Sequence, residues 1–130
     1  MPSTKPIELL KQGVNSWNNW RENNDSSIPN LQKVNLRGID LRHANLFRVD
    51  LFGADLFGAK LSGADLSQAN LKKTNLFAVD LLTADLSRAS LKGADLRGAN
   101  LFTANLYRAD LREADLRGCL TDRTKKLESG

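Results

Sequence analysis

The side chains in this sequence that could do chemistry are few and scattered. His43 is the only histidine, so a metal site or a histidine-activated nucleophile would lack a second imidazole. Cys119 is the only cysteine, which excludes an internal disulfide and a cysteine-based zinc cluster. Glycines such as Gly58 and Gly63 recur singly and do not form a phosphate-binding loop. We therefore expect no catalytic residues, no metal and no cofactor.

Aspartates are numerous, but their regular spacing favours a structural role over acid–base catalysis. An Asp or Asn stands directly before each of a long series of leucines, and only Lys60 and Ser90 interrupt this column. Short Asx side chains accept hydrogen bonds from nearby backbone N–H groups where a chain bends. The column therefore predicts repeated bends in the chain.

Leucine returns at every fifth position from Leu31 to Leu116, eighteen times without a break. In a helix, five residues leave a rotation of about 140°, so successive leucines would spiral around the axis. In a strand, every second leucine would face the wrong side. A chain that bends once per repeat can instead direct each leucine towards one central axis, which predicts a solenoid. The central core leucines are Leu51, Leu56, Leu61, Leu66, Leu71, Leu76, Leu81, Leu86, Leu91 and Leu96.

A small side chain, usually alanine, stands two residues before each leucine, while the two residues after it vary widely. One bulky and one small inward residue per repeat would fill a narrow tube at normal packing density. Cys119 occupies a small inward position, so we expect it to be buried and inert. The variable pair is expected to face solvent.

The runs "ANLFRVDLFGADLFGAKLSGADLSQANL" and "ADLSRASLKGADLRGANLFTANLYRADLREADL" resemble the pentapeptide-repeat proteins, whose motif is A(D/N)LXX. The resemblance covers residues 30–120. It implies an all-β solenoid, a right-handed quadrilateral β-helix with four pentapeptides per coil and about four and a half coils. Coils should lie about 4.8 Å apart.

The two ends of such a solenoid need covering, and residues 1–29 predict one cover. The segment "PIELLKQGVNSWNNWREN" carries Leu10, Val14, Trp17 and Trp20 at helical spacing, which predicts an amphipathic capping helix followed by a linker. Gly13 weakens the helix prediction locally. The alternative use of the tryptophans is a groove for a partner.

After Leu116 the register slips, since Leu120 comes one residue early, and residues 121–130 form a polar tail that caps the last coil or is disordered. A bare last coil would let a second molecule stack on it. We therefore expect a monomer or an end-to-end homodimer through the C-terminal coil.

Composition indicates one domain of 130 residues with a net charge of +4. The chain has no apolar run long enough for a bilayer and no signal peptide in "MPSTKPIELLKQG". The expectation is a cytoplasmic protein with no membrane partner.

Residues twenty apart should stack in columns on the outside of the solenoid. The predicted partner-binding surface combines an arginine column with another face on which phenylalanines and arginines stack, and with a phenylalanine one corner earlier. It comprises Arg48, Phe52, Phe57, Phe77, Arg88, Arg97 and Arg108. Exposed grouped aromatics can mark an interface. Alternatively, the rings simply stack along the ladder and rigidify it.

The net charge of the repeats helps to choose between the functions that the resemblance implies. Some pentapeptide-repeat proteins protect gyrase by imitating DNA, which requires an acidic exterior. Residues 30–120 carry thirteen Lys and Arg against ten Asp and Glu, a net +3, which disfavours this alternative. The cations are interleaved with Asp, so nucleic acid is not the expected partner either. We predict a noncatalytic, regulatory protein-interaction module with an unidentified protein partner.

Overall fold

The computed structural model describes residues 5–122. Two short helices, α1 (Pro6–Lys11) and α2 (Val14–Glu22), precede a solenoid whose bridging residues run from Asn30 to Leu120. These bridging residues coincide with the span of the predicted repeats.

Parallel bridges join residues that are twenty apart, so each coil contains four pentapeptides. Asn30 bridges Asp50, and the pattern continues along four ladders to the last bridge, between Asn100 and Leu120. The N–H of Leu31 donates to the carbonyl of Asp50 at 2.7 Å, and the N–H of Asp50 donates back to the carbonyl of Pro29 at 2.9 Å. The Asx residues are therefore the bridging residues of the solenoid's four sides.

The expectation of an all-β fold needs a correction, because the bridges between residues 30 and 120 are isolated and no continuous strand forms there. The reason is local. Two residues of every five lie in a turn, so each straight side is too short for two consecutive bridges. The coils are held by single-residue bridges and the hydrogen bonds around them.

The turns are formed by the variable pair after each leucine. The N–H of Ala89 donates to the carbonyl of Leu86 at 3.0 Å across the turn, and Arg88, the second residue of the pair, has φ 60. Ten other non-glycine residues share this left-handed conformation, so the position tolerates most side chains. In Asn30, Oδ1 accepts the N–H of Gln32 at 3.0 Å. The Asx residues thus lie on the sides and stabilise the entry to each turn.

Leucines fill the centre of the solenoid, and all ten of the central leucines named above are 1% exposed or less. The buried polar residue Thr74 donates its hydroxyl to the carbonyl of Leu71 at 2.7 Å. In the last coil Leu111 and Leu116 are only half-buried. The predicted register slip is wrong: Leu120 continues the Asx ladder beside Asn100, and its side chain is 61% exposed.

The predicted single capping helix is two helices, because the chain breaks at Gly13. Its φ of 110 is a conformation that only glycine adopts readily. Leu10 and Trp17 are buried against the core, while Val14 and Trp20 are half-buried and pack against it. The apolar stripe of the sequence is therefore kept across the break.

Helix α2 covers the edge of the first coil by supplying hydrogen bonds. Trp17 Nε1 donates to the carbonyl of Asn45 at 2.7 Å, and Asn18 Oδ1 accepts the N–H of Asn45 at 2.7 Å. Arg21 is buried, and its Nη2 donates to the carbonyl of Phe47 at 2.7 Å. Burial lowers the pKa of this guanidinium. Helix α2 thus takes the place of a preceding coil on one side.

The predicted tail 121–130 lies outside the described residues except for its first two. Neither described helix has the length and apolar character needed to cross a bilayer.

Candidate interaction surface

The outer surface is organised in four corner columns, each made of the residue pairs that follow leucines twenty apart. We number them by the first leucine of each column: corner column 1 follows Leu31, corner column 2 Leu36, corner column 3 Leu41 and corner column 4 Leu46. The four Asx ladders lie on the sides between these columns.

Corner column 2 contains a stacked aromatic pair between two arginines. The ring centroids of Phe57 and Phe77 are 5.5 Å apart, and the rings are 9° from parallel. The guanidinium of Arg37 lies 4.6 Å from the Phe57 centroid, and that of Arg97 lies 5.0 Å from the Phe77 centroid. Four consecutive coils thus contribute one continuous stack of planar groups.

The surface beside this stack is open, because the second residue of each pair in corner column 2 is small. Four are glycines and the fifth is Ala78, and a Cβ built on Gly38, Gly58 or Gly98 would meet nothing within 4 Å. Ala78 adopts φ 58, as do charged residues in other columns, so the backbone does not require glycine here. Phe57 remains 37% exposed beside a shallow depression of ≈ 270 Å³.

The arginines of corner column 2 are held by carboxylates. Arg97 contacts Asp95 at 2.8 Å and Asp115 at 3.9 Å, and Arg117 contacts Asp115 at 2.6 Å. The hydrogen bond from Arg97 lowers the pKa of Asp95, and that from Arg117 lowers the pKa of Asp115 to about 2. The column therefore combines apolar rings with cations whose charge is locally balanced.

Corner column 4 holds the other predicted arginines, Arg48, Arg88 and Arg108, which are all exposed. Arg88 lies 5.8 Å and Arg108 5.7 Å from the ring centroid of Tyr107, which is 60% exposed. Within residues 5–122 none of these three arginines makes an ion pair. Their positive charge faces solvent.

The predicted partner-binding residues therefore do not form one contiguous patch. Phe57, Phe77 and Arg97 stack together in corner column 2, and the three arginines above lie in corner column 4. Phe52 is half-buried in corner column 1, between these two columns. A partner that contacts both groups would have to wrap around more than one side.

The paired arginines differ from the unpaired ones in their position after leucine and in the Asx residue that precedes them. The five arginines directly after leucine all contact an Asp, usually the one two residues earlier, as Arg42 contacts Asp40 at 2.7 Å. The three arginines at the second position make no ion pair within residues 5–122; Arg88 does not contact the preceding Asp85, and the other two follow an Asn. The sequence held this signal in the spacing from Asp to Arg, and the columns alone did not reveal it.

His43 lies in the first coil and Cys119 in the last, so the two do not form a site together. His43 is exposed, and Cys119 Sγ, half-buried, donates to the carbonyl of Leu96 at 3.0 Å. Burial raises the pKa of this thiol. Between residues 5 and 122, no group of three or more His, Cys, Asp and Glu is placed to hold a metal ion.

The repeats identify the protein family to which the chain belongs. A model described as pentapeptide repeats matches residues 30–63, 50–81 and 84–120. The chain belongs to the pentapeptide repeat family. This assignment agrees with the twenty-residue coil seen in the bridges.

Solved structures of pentapeptide repeat proteins are similar to this chain. HetL from the cyanobacterium Nostoc sp. strain PCC 7120, involved in heterocyst differentiation regulation, is 32% identical over 72% of this chain, with a TM-score of 0.41. The chain spans 56% of the length of HetL. The protein alr5209 from Nostoc PCC 7120 is 36% identical over 76% of this chain and 75% of its own, with a TM-score of 0.46.

A more distant structure is QnrB1, a plasmid-mediated fluoroquinolone resistance protein. It is 22% identical over 75% of this chain and 67% of its own, with a TM-score of 0.35. No curated protein matches the chain.

Proposed function

We propose that the protein is a noncatalytic protein-interaction module that docks a protein partner on corner column 2. The observation that carries this proposal is the stacked, partly exposed pair Phe57 and Phe77 beside an open strip of glycines. Membership of a family of solenoid repeats supports it. The proposal includes a regulatory role and the right-handed winding that the family resemblance implies.

The stack suits protein binding because it is already ordered. Binding normally costs about 0.5–1.5 kcal/mol for each side chain that it immobilises. Phe57 and Phe77 already restrict each other, and Arg37 and Arg97 are held by Asp55 at 3.0 Å and Asp95 at 2.8 Å. A partner would therefore gain apolar contact with little additional loss of side-chain freedom.

The flat strip beside the rings provides room for that contact. Because no side chain stands in front of Gly38, Gly58 or Gly98, a partner can approach the backbone and cover the ring faces and edges together. Aromatic residues and arginine are enriched at the centre of protein interfaces. Corner column 2 combines both types on a rigid scaffold.

The experiment is affinity capture from a lysate of the source organism, with wild type and the double variant Phe57→Ser, Phe77→Ser as baits. Phe102→Ser is the matched control, since Phe102 is 47% exposed in corner column 3. Arg88→Glu is tested separately, because Arg88 lies in another column. A protein retained by wild type and Phe102→Ser, and lost from the double variant, supports the proposal. Equal retention by all baits, or no retention by wild type, rejects it.

The C-terminal homodimer and the cytoplasmic location stay as expectations. Sedimentation at several concentrations tests the first, and fractionation of the source cells tests the second. The gyrase-binding DNA mimic remains an alternative that the positive charge disfavours.

A further inference from the structure

We propose a second, independent interaction surface, a basic side that binds an acidic polypeptide segment. This basic side comprises the Asx ladder from Asn30 to Asp110 together with its flanking corner columns 4 and 1. Its eight cations are Lys33, Arg48, Lys72, Lys73, Arg88, Lys92, Arg108 and Arg112, and its anions are Asp50, Asp110 and Glu113. The basic side therefore has a net charge of +5, whereas the rest of residues 30–120, with five cations and seven anions, has −2.

Seven of the eight cations make no ion pair within the described chain. The exception is Arg112, which contacts Asp110 at 2.7 Å. Lys33, Lys73 and the three arginines occupy the second corner position, and in all of them except Arg88 the preceding Asx residue is a neutral Asn. Lys72 and Lys92 follow the neutral residues Asn70 and Ser90. The charge of the basic side is thus available to a partner.

The middle of the basic side carries two carboxylates among its five ladder residues. Its ladder consists of Asn30, Asp50, Asn70, Ser90 and Asp110, and Ser90 is one of the two interruptions of the Asx column. Asp50 accepts hydrogen bonds from Gln32 and from Asn70, the latter at 3.1 Å. An anionic segment lying along the ladder would meet cations on both edges, and repulsion only where it faces Asp50 or Asp110.

The arginine edge of the basic side also offers a contact typical of protein interfaces. Tyr107 lies between Arg88 and Arg108, with centroid distances of 5.8 and 5.7 Å, and it is 60% exposed. Tyrosine and arginine are among the residue types enriched in interface hot spots.

The observations favour a polypeptide over nucleic acid. Asp50, Asp110 and Glu113 interrupt the cations, and an unbroken line of phosphates would meet each of these carboxylates. An acidic polypeptide can place glycine or an apolar side chain opposite them.

The test measures binding of a fluorescein-labelled peptide of alternating Glu and Gly by anisotropy at low ionic strength. The perturbed protein is the triple variant Arg48→Gln, Arg88→Gln, Arg108→Gln. Glutamine fits this column, because Gln68 occupies it with φ 58. The matched control, Lys11→Gln, Arg42→Gln, Lys60→Gln, removes the same charge from exposed cations outside the basic side and outside corner column 2. Thermal unfolding verifies that both variants are folded.

We expect the dissociation constant to rise at least about fivefold in the first variant and less than about twofold in the control. Equal weakening in both variants would mean a net-charge effect and would overturn the proposal, as would failure of wild type to bind the alternating Glu and Gly peptide. A labelled duplex DNA of the same net charge is the competing probe. If it binds more tightly and loses affinity in the first variant, the basic side is a nucleic-acid surface instead. None of these outcomes depends on corner column 2.

Discussion

Leu76→Ala tests the central leucine stack directly. Leu76 is 0% exposed and lies in the third coil, with a complete coil on either side. Removing its side chain loses apolar burial and leaves a cavity, because neighbouring coils are tied by backbone hydrogen bonds and cannot collapse inwards. Comparable buried leucines cost about 2–5 kcal/mol in unfolding free energy.

Leu82→Ala is the matched control, because it makes the same chemical change six residues later. Leu82 is 37% exposed at a corner, so its truncation should cost less than about 1 kcal/mol. The assay is urea unfolding followed by circular dichroism, with the melting temperature as a second measure. Each kcal/mol should lower the melting temperature by roughly 3–5 °C. Leu76→Lys should be more damaging still, since it buries an unpaired charge.

Equal losses in Leu76→Ala and Leu82→Ala would refute the inward assignment of the leucines. A loss below about 1 kcal/mol for Leu76→Ala would show that the tube relaxes around small residues. Because each coil contacts only its neighbours, a broadened transition in the variant would indicate that the two halves unfold separately.

Three further predictions concern the cap, the ladders and the alternative function. Trp17→Phe removes the donor to the Asn45 carbonyl and should cost about 1–3 kcal/mol in urea unfolding; an unchanged midpoint would place the cap outside the cooperative unit. The pKa of Asp110 and of Asp115 is lowered to about 2, so their contribution to the free energy of unfolding is present above about pH 4 and is lost as pH falls through 2. The melting temperature should therefore change less between about pH 4 and about pH 2 in the double variant Asp110→Asn, Asp115→Asn than in wild type. Purified protein should leave gyrase supercoiling unchanged, since the repeats are positive; inhibition would restore the DNA-mimic alternative.

Much of the fold could be predicted because a leucine period of five is incompatible with regular helix or strand. The same period does not determine how many repeats close one coil, since any number of sides keeps Leu76 on the axis. The twenty-residue coil came from the family resemblance, and the bridge from Asn75 to Asp95 shows it directly. Gly13 indicated a break in the helix. The apolar residues from Leu10 to Trp17 nevertheless continue at helical spacing across it, so a single helix was predicted.

The candidate surfaces were less accessible to sequence reasoning. The aromatic column followed from placing Phe57 and Phe77 twenty residues apart. The basic side did not, because its signal is the neutral Asn or Ser that precedes most of its cations, and this signal becomes clear only when the residues are placed in columns. Arg88 is the exception among the unpaired cations: it follows Asp85, and it lies at the second corner position, in the left-handed conformation, and stays unpaired.

The twenty-residue coil has a consequence for insertions and deletions. The core repeats with period five, so adding or removing one pentapeptide keeps every leucine on the axis. The outer columns repeat with period twenty, so the same change moves every later residue by one corner. A single-repeat deletion between Phe57 and Phe77 would leave a packed solenoid in which the two rings no longer meet. Only insertions or deletions of four repeats, or of a multiple of four, preserve both the leucine core and the outer columns. The outer surface therefore restricts the number of repeats more strictly than the core does.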